Sequence, residues 1–99
     1  MIIKTKSKLV TDEHIVKVVV DVENGILSAI CELHIDCADE LVADGSDIKN
    51  LWGANADLKN KTIAYFSMIN LRPNLNKSME IKVPEIREKV GTIIEKLLF

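Results

Sequence analysis

The sequence predicts an α+β fold: an antiparallel sheet of two hairpins plus a short N-terminal strand, with two helices packed on one face. The order is hairpin–helix–hairpin–helix, within a single domain spanning residues 1–99. Three observations predict it. Val16, Val18, Val20 and Val22 alternate at strand period and run into Asn24-Gly25, a strong hairpin signal. Ile86, Val90, Ile93, Ile94, Leu97 and Leu98 repeat at helical spacing near the C-terminus. Between them, the segment from Asp36 to Gly45 has an acidic first turn and a glycine at its end, as a capped helix does.

Each element follows from local chemistry. Lys4, Lys6 and Lys8 alternate with Ile3, Thr5 and Ser7, which predicts a short edge strand guarded by charge. Thr11-Asp12-Glu13-His14 reads as a turn or one helical turn capped by Thr11 or Asp12. A type I′ turn at Asn24-Gly25 pairs Val22 with Leu27, Val20 with Ala29, Val18 with Cys31 and Val16 with Leu33, all apolar and all on one face. The other face then pairs Lys17 with Glu32 and Asp21 with Ser28, and leaves Val19 and Ile30 exposed together. Asp36 is expected to cap the first helix, with Ile35, Ala38, Leu41 and Val42 as its apolar stripe. A second hairpin joins Leu51–Ala56 to Thr62–Leu71 through residues 57–61. If centred on Asn60, it places Trp52, Ala54 and Ala56 on one face with Ala64, Phe66 and Met68, and then Asn70 and Arg72 at the polar end, and the loose loop leaves a register one residue away open. Asn74 to Lys82 reads as a short extended piece, and Val83-Pro84 opens the last helix with proline at its first position.

Composition bounds the function. The chain is 47% hydrophobic and 28% charged, which is globular usage. A net charge of −2 and few aromatic residues argue against nucleic-acid binding. No apolar segment has the length of a signal peptide core or a membrane span, and two cysteines make no disulfide framework, so a cytoplasmic protein is expected.

Two polar groups are candidate sites. Of thirteen basic residues only Arg72 and Arg87 are arginines. A chain that otherwise uses lysine keeps arginine where a planar fork matters. Trp52, Asn55, Ser67, Asn70, Arg72 and Ser78 are therefore expected to line a ligand site for a small anion, with internal pairing of Arg72 to Asp36 or Glu80, and Asn70 satisfying a buried backbone, as the structural alternative. His34 beside Asp36, Asp39 and Glu40 is the other group, and His34, Asp36 and Glu80 are the catalytic candidates. Cys31, His34 and Cys37 lack a fourth ligand, so no metal and no cofactor is expected, and the cysteines read as ordinary thiols.

The motifs Val18-Val19-Val20-Asp21-Val22-Glu23, Glu32-Leu33-His34, Gly45-Ser46, Leu51-Trp52-Gly53-Ala54-Asn55, Ser67-Met68-Ile69-Asn70-Leu71-Arg72-Pro73 and Ser78-Met79-Glu80-Ile81 together resemble an uncharacterised family of small bacterial proteins, a domain of unknown function. The resemblance runs from about Val16 to Arg87 and brings no activity, cofactor or catalytic residue. This chain differs in a shorter N-terminal part, in Ile30-Cys31 where the family pattern has glycines, and in Val83 where it has an acidic cap. The expected function is a non-catalytic module binding a small ligand or a protein through the Arg72 region. The alternatives are a small acid–base enzyme, hydrolase-like, and a homo-oligomeric scaffold.

Overall fold

The computed structural model describes all 99 residues. Five strands form one antiparallel sheet: β1 (Ile2–Ile3), β2 (Ile15–Asp21), β3 (Ile26–Ala29), β4 (Leu51–Asp57) and β5 (Thr62–Ala64), in spatial order β1-β3-β2-β4-β5. Helix α1 (His34–Ala43) follows the first hairpin and α2 (Pro84–Leu98) ends the chain. The α+β class and the element order are as the sequence predicts.

The helices do not share a face, which corrects the expected packing. Val16, Val18 and Val20 of β2 join Trp52, Ala54 and Ala56 of β4 in one core with Val90, Ile94 and Leu97 of α2. Val19 and Leu51, one residue out of phase, join Cys37, Ala38 and Leu41 of α1 in a second core. Strand side chains alternate between faces, so the two helices sandwich the sheet. The strand face read as solvent-facing is covered: Val19, Asp21 and Ser28 are fully buried. Val19 is therefore no exposed patch, and Ile30 lies outside the strands.

Both hairpins turn through the same device. Asp21 Oδ1 accepts the amides of Glu23 (3.0 Å) and Asn24 (2.9 Å), while Asn24 Nδ2 donates to Asp21 Oδ2 at 2.8 Å. Asp57 Oδ1 accepts the amides of Lys59 (3.0 Å) and Asn60 (2.9 Å), while Asn60 Nδ2 donates to Asp57 Oδ2 at 2.9 Å. In each turn the next residue, Gly25 (φ 68°) or Lys61 (φ 55°), is left-handed. This is an aspartate turn locked by an asparagine three residues on, not the two-residue type I′ turn expected at Asn24-Gly25.

The registers shift accordingly. Val20 pairs with Leu27 and Val18 with Ala29, two residues from the expected pairing. A shift of two preserves the faces, so the valine face is still the core. In the second hairpin Ala56 pairs with Ile63 and Asn55 with Ala64, one residue off. A shift of one exchanges the faces, so Ile63 and Tyr65 pack with α2 and Ala64 does not. β5 also stops at Ala64, well short of Leu71, and Met68–Asn70 forms a 3-10 turn.

Helix ends follow the chain's chemistry. α1 begins two residues before Asp36, which sits in the first turn and accepts the Leu33 amide at 3.3 Å through its carboxylate. At the other end Gly45 N donates to Val42 O (3.0 Å) and Ser46 N to Leu41 O (2.9 Å), the Schellman pattern that a left-handed glycine allows. Pro84 is the first residue of α2. The Tyr65 hydroxyl lies where a side chain at Gly91 would begin, so the glycine in α2 admits the ring against the helix. Residues 4–8 are not strand. Ser7 N donates to Leu97 O at 2.9 Å and Lys4 pairs with Asp44 at 3.0 Å, which ties the segment to both helical layers.

Asp21 joins the first turn to the end of α1. Its Oδ2 also accepts the Ser46 hydroxyl at 2.6 Å. Burial alone would raise its pKa, but the hydrogen bonds from Ser46, Asn24 and Glu23 outweigh it and hold it below the usual aspartate value. A depressed folded pKa means stability is present above the ordinary aspartate value and is lost as pH falls through the folded one. Asp21→Asn is therefore expected to flatten the loss of stability below about pH 4. Urea unfolding of both chains across pH 2–7 checks it, and an unchanged acid limb in the variant would contradict the assignment.

Candidate functional site

β5 covers only the end of β4, so the edge around Gly53 would be left unpaired. Asn70 closes it. Its Oδ1 accepts the Gly53 amide at 2.8 Å, and its Nδ2 donates to Gly53 O at 2.9 Å and to Met79 O at 3.0 Å. The side-chain amide thus stands in for a peptide unit of a neighbouring strand. Only glycine fits at position 53, since an added Cβ would lie 2.5 Å from Ser67 Cβ. Asn76, a residue the sequence did not single out, does the same for the following loop. Its Nδ2 lies within 3.0 Å of the Asn70, Ser78 and Glu80 carbonyls, and its Oδ1 accepts the Lys82 amide at 2.8 Å.

Arg72 clamps the start of the same strand. Its guanidinium donates to Lys49 O at 2.7 Å and to Leu51 O, and stacks 4.0 Å over the Trp52 ring. Neither internal partner expected from the sequence, Asp36 or Glu80, is bonded to it. Glu80 pairs with Lys82 and with Arg87, each at 3.1 Å. Arg87 repeats the pattern of Arg72, stacking 4.1 Å over Tyr65 and donating to Ile81 O at 3.2 Å.

The Arg72 guanidinium has five N–H donors, and two are used on carbonyls. None of the ion pairs includes it. Burial pulls its pKa below the usual arginine value, with no carboxylate opposing the shift. It lines a cavity of about 610 Å³ whose other walls are largely apolar, including Ile35, Ile48, Ile69 and Leu75.

A second cavity of about 560 Å³ adjoins it and shares Ile35 and Ile69. His34, Asn55 and Ser67 are its polar lining, with Lys17 at the rim, and Leu33, Phe66 and Met68 are apolar. Together the two form one groove between α1 and the Phe66–Leu75 segment. Ile35 was expected in the core stripe of α1. Instead it is 45% exposed and faces this groove, because Cys37 takes the buried position on the helix.

His34 Nε2 lies 2.8 Å from the Ala54 carbonyl oxygen. A carbonyl only accepts, so Nε2 carries the proton and Nδ1 is the free lone pair. Burial lowers the His34 pKa, the carbonyl partly offsets this, and Lys17 lowers it further, so the ring is neutral at pH 7.

The structure brings together some of the expected residues and separates others. His34, Asn55 and Ser67 share one cavity and Arg72 lines its neighbour. Trp52 is buried on the opposite face and meets the site only through Arg72. Asn70 is consumed by the strand edge, and Ser78 Oγ accepts the Glu80 amide at 3.1 Å. His34, Asp36 and Glu80 form no catalytic set, since Asp36 caps α1, Glu80 pairs with Arg87, and neither lines the His34 cavity. Cys31 and Cys37 are joined in a disulfide, which corrects their reading as free thiols. No helix is long and apolar enough to cross a membrane.

Asn70→Ala is expected to destabilise the fold by about 2–4 kcal/mol, because it strands the amide and carbonyl of Gly53. Denaturant unfolding measures the loss, and a change under 1 kcal/mol would show that the edge finds other partners.

A model of a family described as "Protein of unknown function (DUF5674)" matches residues 2–97. No curated protein and no solved structure matches the chain significantly.

Proposed function

We propose, from the premise that this chain belongs to the DUF5674 family and inherits no activity from it, that it is a binding module for a small amphipathic anion. The observation that carries this reading is the Arg72 guanidinium. It is a half-buried cation at one end of an apolar groove, with three donors unused and no carboxylate paired to it. A half-buried guanidinium keeps less of its hydration than an exposed lysine, so a ligand carboxylate or phosphate has more to gain there.

The remainder of the groove supports an apolar tail. Ile35 and Ile69 form the common wall, and Phe66 and Met68 line the far end. The volumes fall in the range of small-ligand sites. Polar contacts to a distal group would come from neutral His34, Asn55 and Ser67. The acid–base alternative has less support, since His34 has no carboxylate to orient it. Self-association has one observation of its own: Met68 is 75% exposed and Leu33 59%, both on the groove rim.

The test uses straight-chain carboxylates from butyrate to dodecanoate against the unmodified protein. Affinity by calorimetry is expected to rise by roughly fourfold per buried methylene until the groove is filled. Primary amines of equal length should bind at least about tenfold more weakly, because they meet a like charge. Trp52 emission should change with the carboxylates, through the stacked Arg72. Equal affinity for amines and carboxylates would remove Arg72 from the site, and no binding by either series would remove the ligand reading. Light scattering at the same concentrations decides self-association.

A further inference from the structure

We propose that the Cys31–Cys37 disulfide is a thiol-exchange site, entered by a low-molecular-weight thiol at Cys31, whose opening releases one wall of the groove. The exchange chemistry stands on its own. The consequence for binding rests on the ligand reading above.

The two sulfurs are unequal. Cys37 is 1% exposed, on the buried side of α1 in the smaller core. Cys31 is half-buried and lines a separate surface cavity of about 510 Å³, beside Glu13, Lys17 and Glu32. A thiolate from solvent therefore reaches Cys31 and not Cys37. The leaving sulfur belongs to Cys37, in the first turns of α1, where the helix N-terminus offsets part of the cost of a negative charge in an apolar core.

The step balances without another reactant. The incoming thiolate sulfur bonds to Cys31 Sγ as the Cys31–Cys37 bond breaks, and the electron pair leaves on Cys37 Sγ, which takes a proton from solvent once the opened segment moves aside. A second thiolate attacks the first one's sulfur in the mixed disulfide, releasing a small disulfide and the Cys31 thiolate. Two small thiols are oxidised and the protein disulfide is reduced.

What the bond encloses gives the exchange a consequence. Between the two cysteines lie Leu33, His34 and Ile35, which line the His34 cavity. Immediately before Cys31, Ile30 has φ 59°. A β-branched residue rarely adopts that left-handed conformation unless its surroundings force it. The bond fixes the chain on the far side of that residue, so opening it allows Ile30 to return to the extended region and shifts residues 31–33.

The experiment treats the oxidised full-length chain with 2-mercaptoethanol in native buffer, quenches with acid, and maps adducts by mass spectrometry. We expect the mixed disulfide on Cys31 in about tenfold excess over Cys37. Equal adducts, or reduction no faster than global unfolding measured by amide exchange in β2, would overturn the exchange site. In the reduced chain the amides of 32–35 should exchange faster while those of β2 do not change, and unchanged exchange at 32–35 would overturn the release. Decanoate should bind the reduced chain about tenfold more weakly, within the usual range of coupling between sites. Equal binding in both states would also overturn the release. If neither state binds decanoate, the ligand reading fails, while adduct mapping and amide exchange still decide the disulfide.

Discussion

The fold depends on how the outer edge of β4 is satisfied. β4 is one of the two long strands and pairs with β2 along its whole length. Its other edge has only three paired residues before β5 ends. In a sheet this small, a buried peptide without a partner removes a large share of the net stability. Asn70 supplies that partner with a side chain in place of a strand. Because its amide must lie against Gly53, the chain from Ser67 to Asn70 is drawn tightly over the sheet, and Ser67 presses where a side chain at residue 53 would be. Asn76 then secures the next turn of the same segment. This segment, so held, forms one wall of the groove.

Both arginines belong to the same construction. Each stacks on an aromatic ring and donates to the main chain, Arg72 to two carbonyls and Arg87 to one. A lysine cannot lie flat on a ring while bonding two carbonyls in fixed directions. The difference lies in what remains. Arg87 has Glu80 as a counter-ion, whereas Arg72 has none. The same side chain type is thus complete as a structural element in one place and unsatisfied in charge in the other.

Much of this was legible in the sequence, and the failures have physical reasons. The valine face of β2 survived a misplaced turn because the error was two residues, and strand faces repeat every two. The second hairpin's loop left two registers open, and the one found lies one residue from the Asn60-centred reading, so its outer strand changes faces. The signal that fixes both turns was present as Asp21 with Asn24 and Asp57 with Asn60, but Asn24-Gly25 alone drew the turn to the wrong place. Helix placement could not be read from the strands, because Val19 sits among Lys17 and Asp21 and looks like a stray apolar residue. Only α1 lying over it makes that face interior. The scarcity of arginine marks Arg72 as a residue that matters, yet its partners are carbonyls, which carry no sequence signal. Asn76 looks like any polar loop residue for the same reason.

The central pairing of β2 with β4 joins residues as far apart as Ile15 and Asp57. Closing so long a loop in one step is entropically slow. Here the intervening chain is divided into pieces that each close over a few residues: the aspartate-locked turn at 21–25, the cystine at 31–37 and the Schellman end of α1 at 41–46. With those pieces closed, the loop that separates β2 from β4 is effectively shorter than its span in sequence.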